Sequence, residues 1–257
     1  MQTNEELLAT IENYLAQTDF PAEPELLYAP IGYSLGGGGK RLRPMLVMLS
    51  CGIFSDQIQS ALPAAAAVEM FHNFTLLHDD IMDNAAMRRG KPSVFARWGQ
   101  NVAILSGDAM LICAYRLLSG VPAHLLPQIL ATFNQMALEV CEGQQYDMDF
   151  EQKQKVSVVE YMHMIELKTS VLLAGSAVIG ATLGGASGGL PQAAPLCRGA
   201  GARLPAAGRP AGQLRRRAAG QAHRRRHPGG KENLPDGHGH EPVSYTHLRA
   251  HETEADL

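Results

Sequence analysis

Three aspartates lie within five residues in the segment "LLHDDIMDNAAMRRGKP", in the middle of an otherwise apolar stretch. Asp79 and Asp83 are four residues apart, so on a helix they point to the same side, while Asp80 lies about 100° round the axis. Such a face suits Mg²⁺, which takes one or two carboxylates and fills its remaining positions with water and phosphate oxygens. A solvated acidic helix end has the same pattern, so the aspartates alone leave both interpretations open.

Cationic residues flank the aspartates on both sides in the sequence. Arg88 and Arg89 follow them, and the upstream segment "GGGGKRLRP" supplies Lys40, Arg41 and Arg43. Glycines let a backbone approach an anion closely, and arginine binds phosphate through two parallel hydrogen bonds. The glycine-rich segment is not a P-loop, because it lacks the preceding strand and the Walker spacing. Together these groups indicate a site for two diphosphates, one bound through metal and one bound by arginine and lysine.

The elements that must position these side chains are helices. Apolar residues recur at helical spacing in seven segments, at residues 4–16, 43–54, 63–83, 102–118, 125–141, 158–167 and 170–183. Segment 63–83 carries the aspartates and is apolar on most sides, which indicates a central position in a bundle. Strand-like alternation is nearly absent. The sequence therefore predicts an all-α fold with a flexible glycine loop at residues 36–39.

The overall composition points to no particular partner. The 257 residues are 46% apolar and carry a formal net charge of −3, which is ordinary for a globular protein. The four cysteines show no CxxC spacing, so we expect reduced thiols in a cytoplasmic protein. No apolar run reaches the roughly 18 residues of a membrane span, and the N-terminus resembles neither a signal nor a transit peptide. We therefore expect no transmembrane segment.

The composition changes abruptly at Gly188. Between Arg198 and Arg226 there are nine arginines and no acidic residue, and the apolar residues are mostly alanines without a period. A segment of this kind cannot bury enough apolar surface to offset the entropy of ordering the chain. We therefore expect one ordered domain over residues 1–187 and a disordered tail over residues 188–257.

Several segments of the ordered part together resemble the trans-isoprenyl diphosphate synthase (polyprenyl synthetase) family. "GGGGKRLRPMLVML" is similar to its first basic motif and "FHNFTLLHDDIMDNAAMRRGKPS" to its first aspartate-rich motif, and "GDAML", "EGQQYDM" and "IELKTSVLLAGSAVIGA" follow in the family's order. The resemblance extends from Glu6 to Ala186. It implies an isoprenoid-synthase helical bundle around a central cavity, here incomplete at the C-terminus, and a homodimer for full-length members.

The resemblance also implies residue roles on the side that binds isopentenyl diphosphate. The residues that would hold its diphosphate are Lys40, Arg43, His72 and Arg89. A histidine on an apolar helix is otherwise more often a core residue with satisfied hydrogen bonds, so this alternative stays open for His72. Arg41, which lies inside the same basic motif, receives no role.

On the allylic side, the resemblance implies two Mg²⁺ ligands, Asp79 and Asp83, with Asp80 in support. The residues that would contact the allylic diphosphate are Arg88, Lys168 and Thr169, and Gln144 would line the cavity near the reacting carbons. The implied catalytic set is Asp79, Asp80, Asp83, Lys168 and Gln144.

Simpler interpretations of several of these residues stay open. Lys168 and Thr169 could belong to an ordinary helix surface or kink, and Gln144 could be a capping or core amide. Phe74 lies five residues before Asp79 on the same helix, where a bulky residue would close the floor of the cavity and favour short products (C15–C20). The alternative is that Phe74 is an ordinary core residue.

The implied activity is isoprenoid biosynthesis by a prenyltransferase. Isopentenyl diphosphate and an allylic diphosphate would condense head to tail with Mg²⁺ as the cofactor. The allylic C–O bond ionises, the isopentenyl double bond attacks the allylic cation, and a proton is lost to the departing diphosphate. An apolar cavity protects the cation from water. The alternative function is a non-catalytic helical subunit that binds a catalytic partner.

The family's second aspartate-rich motif is missing, because the chain has no acidic residue between Lys168 and Lys231. A change of reading frame explains this. Codons for "LPAAGRPAGQLRR" can be chosen so that reading one base later gives "FQLQDDLLDSCD", and the same offset makes "QAHRRRHPGGKENLPDGHG" compatible with a later family motif. We therefore expect a lost or gained base between Gly185 and Gln192, an inactive chain as written, and no nucleic-acid binding by the arginine runs.

Overall fold

The computed structural model describes residues 3–153 and 155–186, so the tail predicted to be disordered (188–257) lies outside the described residues. Within the described residues the chain is helical apart from one short hairpin, which confirms the all-α prediction. The helices are α1 (Asn4–Ala16), α2 (Glu25–Leu35), α3 (Leu42–Gly52), α4 (Leu62–Met82), α5 (Val94–Trp98), α6 (Gln100–Leu118), α7 (Leu126–Glu151), α8 (Val158–Ile165) and α9 (Val171–Leu183). The antiparallel hairpin pairs β1 (Met87–Arg88) with β2 (Lys91–Pro92).

Helix α4 lies at the centre of the bundle and ends at the aspartates. Pro63 occupies its first turn, where a missing backbone amide costs little. The alanines at 64–67 are buried, and their small side chains let neighbouring helices approach closely. Further along, Phe71 packs edge-on against Phe133 of α7, with ring centroids 5.3 Å apart. Most of helix α4 therefore lies inside a tightly packed apolar core, and its last turn, which is polar, lies at the edge of that core.

Helices α3 and α9 cross at a glycine. A Cβ on Gly180 would lie 2.1 Å from the carbonyl oxygen of Val47, so a larger residue would push the helices apart. Val47 and Ile179 are fully buried at this crossing. Burying such a side chain contributes roughly 1.5–3 kcal/mol relative to leaving it in water. The crossing fixes α9, and therefore the turn that precedes it, against the core.

Two helices differ from the sequence-based expectation. Helix α2 is not predicted, because Pro30 interrupts the helical pattern and removes a backbone donor. The structure continues the helix through Pro30 and buries one side of it. Helix α7 ends at Glu151 rather than at Cys141, because polar residues that weaken the apolar pattern, such as Gln144 and Asp147, face a cavity or the protein interior.

The predicted helices at 158–167 and 170–183 form one continuous helical stretch. Helices α8 and α9 are joined by a π-helical turn, Glu166–Ser170, which widens the helical path by one residue. Single π turns inside helices are frequently found at functional sites. This turn carries Lys168 and Thr169, so these residues do not belong to an ordinary helix surface.

Two helices of the described residues are long and apolar enough to span a membrane by length and composition alone, so the absence of a transmembrane segment stays a prediction. Gln100–Leu118 and Val158–Leu183 both pass that test. Single polar residues interrupt their apolar runs without lowering the mean hydropathy of an 18-residue window below that of a span. A central helix of a bundle has the same composition, and 72% of the window in Val158–Leu183 is buried inside the protein. The two helices are therefore weak evidence for a membrane location.

The cysteines in the described part of the chain are free thiols. Cys51 and Cys113 are buried and Cys141 is exposed. Desolvation raises the pKa of each thiol, so all three stay protonated at neutral pH. The prediction of reduced cysteines is confirmed for these three, and the cytoplasmic location remains a prediction.

Candidate active site

A cavity of about 240 Å³ opens beside the C-terminal half of α4. Helix α4 forms one wall, α7 a second, and the π turn with the start of α9 a third. The predicted site residues on its walls are Arg43, His72, Phe74, Asp79, Gln144, Lys168 and Thr169. The fold therefore brings together, around one cavity, residues that are far apart in the sequence: Arg43 and Thr169 are separated by 126 positions.

Carboxylates from two helices come close together at this cavity. Asp79 lies in the last turn of α4, Asp83 is the residue that caps its end, and Asp147 approaches from α7. Burial raises the pKa of Asp79 to about 6, and the negative charges of Asp83 and Asp147 act in the same direction, against the positive charge of Lys168. A carboxylate whose pKa is raised mainly by burial is costly to ionise, and a bound cation would stabilise its charged form.

Lys168 lies between two of these carboxylates. Its Nζ donates a hydrogen bond to Asp147 Oδ2 over 2.6 Å and lies 3.8 Å from Asp79 Oδ2. The Asp147 side chain is only 2% exposed, so water barely weakens this ion pair. The backbone approach depends on Gly143, because a Cβ there would lie 2.4 Å from the Lys168 amide nitrogen. Helix α7 thus sets the place of the Lys168 ammonium through both a glycine and an acid.

Asp80 points away from the larger cavity, as its 100° offset along the helix predicts. Its Oδ1 accepts hydrogen bonds from Arg88 Nε over 3.0 Å and from Arg88 Nη2 over 2.7 Å. Both residues line a second, smaller cavity of about 40 Å³ beside the hairpin. Asp80 and Arg88 therefore line a different cavity from Asp79, although the charge of Arg88 still acts on the pKa of Asp79. Their ion pair holds the hairpin against α4.

His72 and Arg43 line the larger cavity from α4 and α3. Arg43 Nη1 lies 3.1 Å from His72 Nε2. Because a guanidinium can only donate, Nε2 accepts this hydrogen bond and the ring proton lies on Nδ1. Burial lowers the pKa of His72 well below its ordinary value, and the positive charge of Arg43 acts in the same direction. His72 is therefore a buried, neutral histidine whose partner is a cavity-lining cation.

Arg89 and Lys40 lie away from that wall. Arg89 Nη1 donates a hydrogen bond to the carbonyl oxygen of Gly38, and the Arg89 guanidinium packs against Gly39. Arg89 lines the smaller cavity. Lys40 is exposed, and within the described part of the chain it is on the wall of neither cavity. The structure therefore splits the predicted isopentenyl diphosphate set into a pair on the wall of the larger cavity and a pair on the glycine loop and hairpin.

Gln144 lines the larger cavity from α7. Its Nε2 lies 3.5 Å from Met82 Sδ, and its Oε1 is buried without a hydrogen-bond partner among the described residues. The Oδ1 atom of Asp147, one turn further along, is in the same state within residues 3–153 and 155–186. Buried polar atoms in proteins almost always have a partner, so these oxygens indicate that the site receives water, a cation or a ligand.

Phe74 also lies on the wall of the larger cavity. Its ring packs edge-on against His78, with centroids 4.7 Å apart, and lies tilted against Phe71, with centroids 5.6 Å apart. The ring is therefore held by aromatic neighbours on its own helix. Its position on the wall is the one that a floor residue would need.

The oxygens at Asp79 and Asp83 fit Mg²⁺. No group of three or more His, Cys, Asp or Glu side chains that could hold an ion occurs in the residues that the structure describes. Mg²⁺ does not need such a cage, because it is bound by one or two carboxylates together with water and substrate phosphates. The effect of Asp83 on the pKa of Asp79 indicates that the two charges are near each other. Asp83 is exposed, and in the described part of the chain it lies on the wall of neither cavity, whereas Asp79 lines the larger one.

One acid at the site, Asp147, has no role in the sequence-based prediction. It follows Gln144 by three residues in the segment "EGQQYDM", so both lie on one face of α7. That spacing was available in the sequence. Its ion pair with Lys168 was not, because the two residues meet only where helix α7 packs against the π turn.

The fold and the site together define the class of protein: an all-α bundle whose central helix ends in carboxylates beside a cavity lined by arginine, histidine and lysine. The family model for polyprenyl synthetase matches residues 24–202, well over half of the chain. The chain belongs to this family, which confirms the resemblance of its motifs.

Individual relatives agree with this assignment. The chain is 47% identical over 173 residues to the geranylgeranyl diphosphate synthase of Methanosarcina mazei, a match that covers 66% of this chain and 53% of the relative. It is 40% identical over 148 residues to the (2E,6E)-farnesyl diphosphate synthase of Mycobacterium bovis, covering 58% and 41%. A crystal structure of a geranylgeranyl pyrophosphate synthase superimposes with a TM-score of 0.74 at 46% identity, covering 79% of this chain and 62% of that one. The chain spans about half the length of the curated relatives it matches.

Proposed function

We propose that this chain carries the N-terminal part of a Mg²⁺-dependent prenyltransferase. The enzyme condenses isopentenyl diphosphate head to tail with an allylic diphosphate and releases a short-chain polyprenyl diphosphate (C15–C20). The observation that carries the proposal is the shared cavity, with anion-binding Arg43 and His72 and metal-binding Asp79 beside Lys168 on its walls. The family membership and the names of the two relatives support it.

The side of the cavity that would bind isopentenyl diphosphate consists of hydrogen-bond donors. Arg43 offers guanidinium N–H groups and His72 offers Nδ1–H, and both lie on the wall of the larger cavity. Because His72 is neutral, it adds a directional donor without a second positive charge next to Arg43. Lys40 and Arg89 complete the set from the glycine loop and the hairpin. Arg89 also fixes the backbone of that loop at Gly38.

The allylic side combines carboxylates with a positioned ammonium. Asp79 and Asp83 would hold Mg²⁺, which when bound supplies Lewis-acid neutralisation of the leaving diphosphate. Lys168 and Thr169 present an ammonium and a hydroxyl to the same diphosphate. Asp147 fixes the ammonium before substrate arrives, so that no reorganisation is needed during bond cleavage.

The remaining walls protect the allylic cation. Met82, Val140 and Leu172 line the cavity with apolar atoms that exclude water from the ionised carbon. The partnerless Oε1 of Gln144 adds a carbonyl dipole to this wall, with its negative end able to face a cation. The isopentenyl double bond then attacks the allylic carbon, and the proton that is lost passes to the released diphosphate.

Turnover with the reading frame restored tests the proposal. The printed chain and a frame-restored chain are incubated with isopentenyl diphosphate, geranyl diphosphate and Mg²⁺. We expect negligible product from the printed chain, because its second aspartate-rich motif is missing, and product from the restored one. In the restored chain, Asp79→Ala lowers kcat about 100-fold or more, whereas the exposed Asp56→Ala changes it less than about twofold.

Other outcomes are informative as well. A restored chain that binds diphosphates without turnover supports the non-catalytic partner subunit instead. Full activity in the Asp79→Ala variant contradicts the assignment of Asp79. An intact reading frame in the resequenced gene contradicts the frame change itself.

Product length depends on Phe74. We expect Phe74→Ala in the restored enzyme to lengthen the main product by at least one isoprene unit, because the floor of the cavity is opened. Phe20→Ala is the control, since Phe20 is a half-buried phenylalanine that packs on Tyr28 away from this cavity. Mass spectrometry of the dephosphorylated products decides, and an unchanged product contradicts the role of Phe74.

We also propose a cytoplasmic homodimer that does not bind nucleic acid. Two exposed apolar residues support self-association: Leu105 and Ile112 lie two turns apart on α6 and are 60% and 67% exposed. Light scattering coupled to gel filtration of the restored chain tests the dimer. A filter-binding assay with RNA and DNA tests the absence of nucleic-acid binding.

A further inference from the structure

We infer that Arg41 is a positioning residue for isopentenyl diphosphate, which it serves through a buried ion pair with Glu69 rather than by contact with the ligand. This inference rests on the proposed function. The pair fixes the end of the glycine loop against α4, and so sets where Lys40 and Arg43 stand relative to His72. The sequence assigns Arg41 no role.

The contacts of Arg41 lead into the protein. Its Nη1 donates to Glu69 Oε1 over 2.6 Å, and its Nη2 donates to the carbonyl oxygen of Leu35 over 2.5 Å. The side chains of Arg41 and Glu69 are 5% and 3% exposed. The guanidinium therefore joins the last residue of α2 to the middle of α4, from a place that a solvated substrate does not reach.

A second layer of hydrogen bonds holds Glu69. Asn73 Nδ2 donates to Glu69 Oε1 over 3.2 Å and to the Glu69 carbonyl over 2.9 Å. Ser34 Oγ in turn donates to Asn73 Oδ1 over 3.2 Å. Removing one partner of a buried ion pair would leave the other charge buried and unpaired. The ion pair and the hydrogen bonds around it therefore hold Arg41 in one conformation.

The backbone of Arg41 shows that this conformation is imposed. Its φ of 49° lies in the left-handed region, which residues other than glycine rarely adopt. The residue is also the cap before α3, so this turn directs both neighbours of the motif. Lys40 points into solvent on one side, and Arg43 reaches His72 on the other.

The loop has a second clamp from the opposite direction. The Arg89 guanidinium holds the Gly38 carbonyl and packs on Gly39, three and two residues before Arg41. A loop with glycines at 36–39 has little conformational preference of its own. Arg41 and Arg89 therefore restrict the conformation of a loop that its glycines leave free. Of these two arginines, Arg41 is buried and does not contact the ligand.

Glu69→Gln separates positioning from simple electrostatics. Removing a negative charge near the basic loop would tighten diphosphate binding if charge alone mattered. Positioning predicts the reverse: we expect isopentenyl diphosphate to bind about tenfold more weakly, because a displacement of about 1 Å is enough for a loss of that order. The measurement is isothermal titration of the full 257-residue chain with isopentenyl diphosphate, without metal.

The double variant Arg41→Met/Glu69→Met removes the ion pair and leaves the net charge unchanged. Apolar replacement of a buried pair is often neutral for stability, so we expect an unchanged urea midpoint and again about tenfold weaker binding. The control is Arg116→Met, which removes an exposed arginine of α6. Mg²⁺-dependent binding of geranyl diphosphate should change less than about twofold in every variant, because that side is held by α7 and the π turn.

The outcomes decide between distinct conclusions. Unchanged or tighter isopentenyl diphosphate binding in Glu69→Gln, or equal weakening for both ligands, overturns the positioning role. If the double variant does not fold, the Arg41→Lys variant tests the positioning role instead. Lysine keeps the positive charge but cannot reach Glu69 and Leu35 together. Unchanged isopentenyl diphosphate affinity in Arg41→Lys would also overturn the positioning role. If the unmodified chain does not bind isopentenyl diphosphate, the proposed function itself fails at that step, and the inference falls with it.

Discussion

At the scale of single residues, the site places opposite titrating groups around one cavity. The pKa of Asp79 is raised to about 6 by burial, whereas the pKa of His72 is lowered by burial and by Arg43. Both shifts favour the uncharged form before ligands arrive. Diphosphate and Mg²⁺ would each bring an opposite charge that favours the charged form of these side chains. Asp79 and His72 therefore lower the stability of the protein without ligands, and ligand binding would offset that loss.

The shift at His72 gives a dependence of stability on pH with a definite sign. The unfolded chain takes up a proton at His72 near its ordinary pKa of about 6.5, but the folded chain does so only at lower pH. Folding therefore loses stability as the pH falls below about 6.5. We expect His72→Gln to remove this contribution, so that the variant loses less stability than the unmodified chain between pH 7 and pH 5.

Urea unfolding followed by the fluorescence of Trp98, the single tryptophan, measures this difference. His124→Gln, at an exposed position, is the control and should leave the difference between the two pH values unchanged. An identical pH dependence for His72→Gln and the unmodified chain would show that His72 is freely protonated in the folded protein.

The pKa shift of Asp79 gives a dependence of stability on pH of the opposite sign. Its pKa is raised in the folded chain, so folding is favoured at low pH and loses stability as the pH rises from about 4 to about 6. Without metal at pH 7, we expect Asp79→Asn to stabilise the chain by up to about 3 kcal/mol. Mg²⁺ should stabilise the unmodified chain and have little effect on this variant.

Urea midpoints measured with and without Mg²⁺ give both the effect of Asp79→Asn on stability and the stabilisation by Mg²⁺. The control is Asp56→Asn, which changes an exposed acid. Destabilisation by Asp79→Asn without metal would mean that its contact with Lys168 outweighs the burial of its charge. Equal responses to Mg²⁺ would exclude Asp79 as a ligand.

At the scale of elements, the π turn is what brings Lys168 and Thr169 to the cavity. A regular helix through residues 158–183 would rotate later residues by one position and move these side chains off the wall. The turn is held by α7, whose backbone lies against it at Gly143. The element that shapes the allylic side is therefore a contact between two helices rather than a loop.

Gly143→Ala tests this contact. Its Cβ would lie 2.4 Å from the Lys168 amide nitrogen, so the π turn must shift. We expect the free energy of unfolding to fall by about 1–3 kcal/mol and Mg²⁺-dependent binding of geranyl diphosphate to weaken at least tenfold, while isopentenyl diphosphate binding is retained. Calorimetric titration of both ligands measures the contrast.

Gly32→Ala is the matched control, because it is a helical glycine whose added Cβ meets nothing within 4 Å. It should leave both affinities unchanged and stability equal or slightly higher, since alanine favours helix more than glycine does. Normal geranyl diphosphate binding in Gly143→Ala would show that the π turn can move without loss of the site.

At the scale of the whole molecule, the chain matches about half the length of its curated relatives. Large apolar residues are exposed on several helices, among them Ile53 at 74% and Val159 at 74%. Exposed apolar surface of this kind promotes association when it is contiguous. The parts of the relatives that lie beyond the match would be expected to cover some of it.

We therefore expect the printed chain to aggregate at a lower temperature than the frame-restored chain. Static light scattering during heating, at equal protein concentration, measures the onset for both. Scattering that begins at the same temperature would indicate that residues beyond the frame change contribute little to burial. The same result would weaken the case for a frame change between Gly185 and Gln192.

Periodicity determined most of the fold in advance. Helices at 4–16, 63–83 and 102–118 need only apolar residues at helical spacing, which is a local property of the chain. Helix α2 was not predictable in this way, because burial against neighbours compensates for Pro30. The extension of α7 was not predictable either, since its polar residues are buried or cavity-facing only once other helices surround them.

The sequence by itself determined that Asp79 and Asp83 share a face of a helix and that Asp80 does not, because that follows from the helical repeat alone. Only the tertiary structure decided which cations these acids meet. Asp80 pairs with Arg88, Lys168 with Asp147, and the unassigned Arg41 with Glu69. Ion pairs between distant segments depend on how helices cross and on which side chains lose water, and no spacing along the chain encodes that.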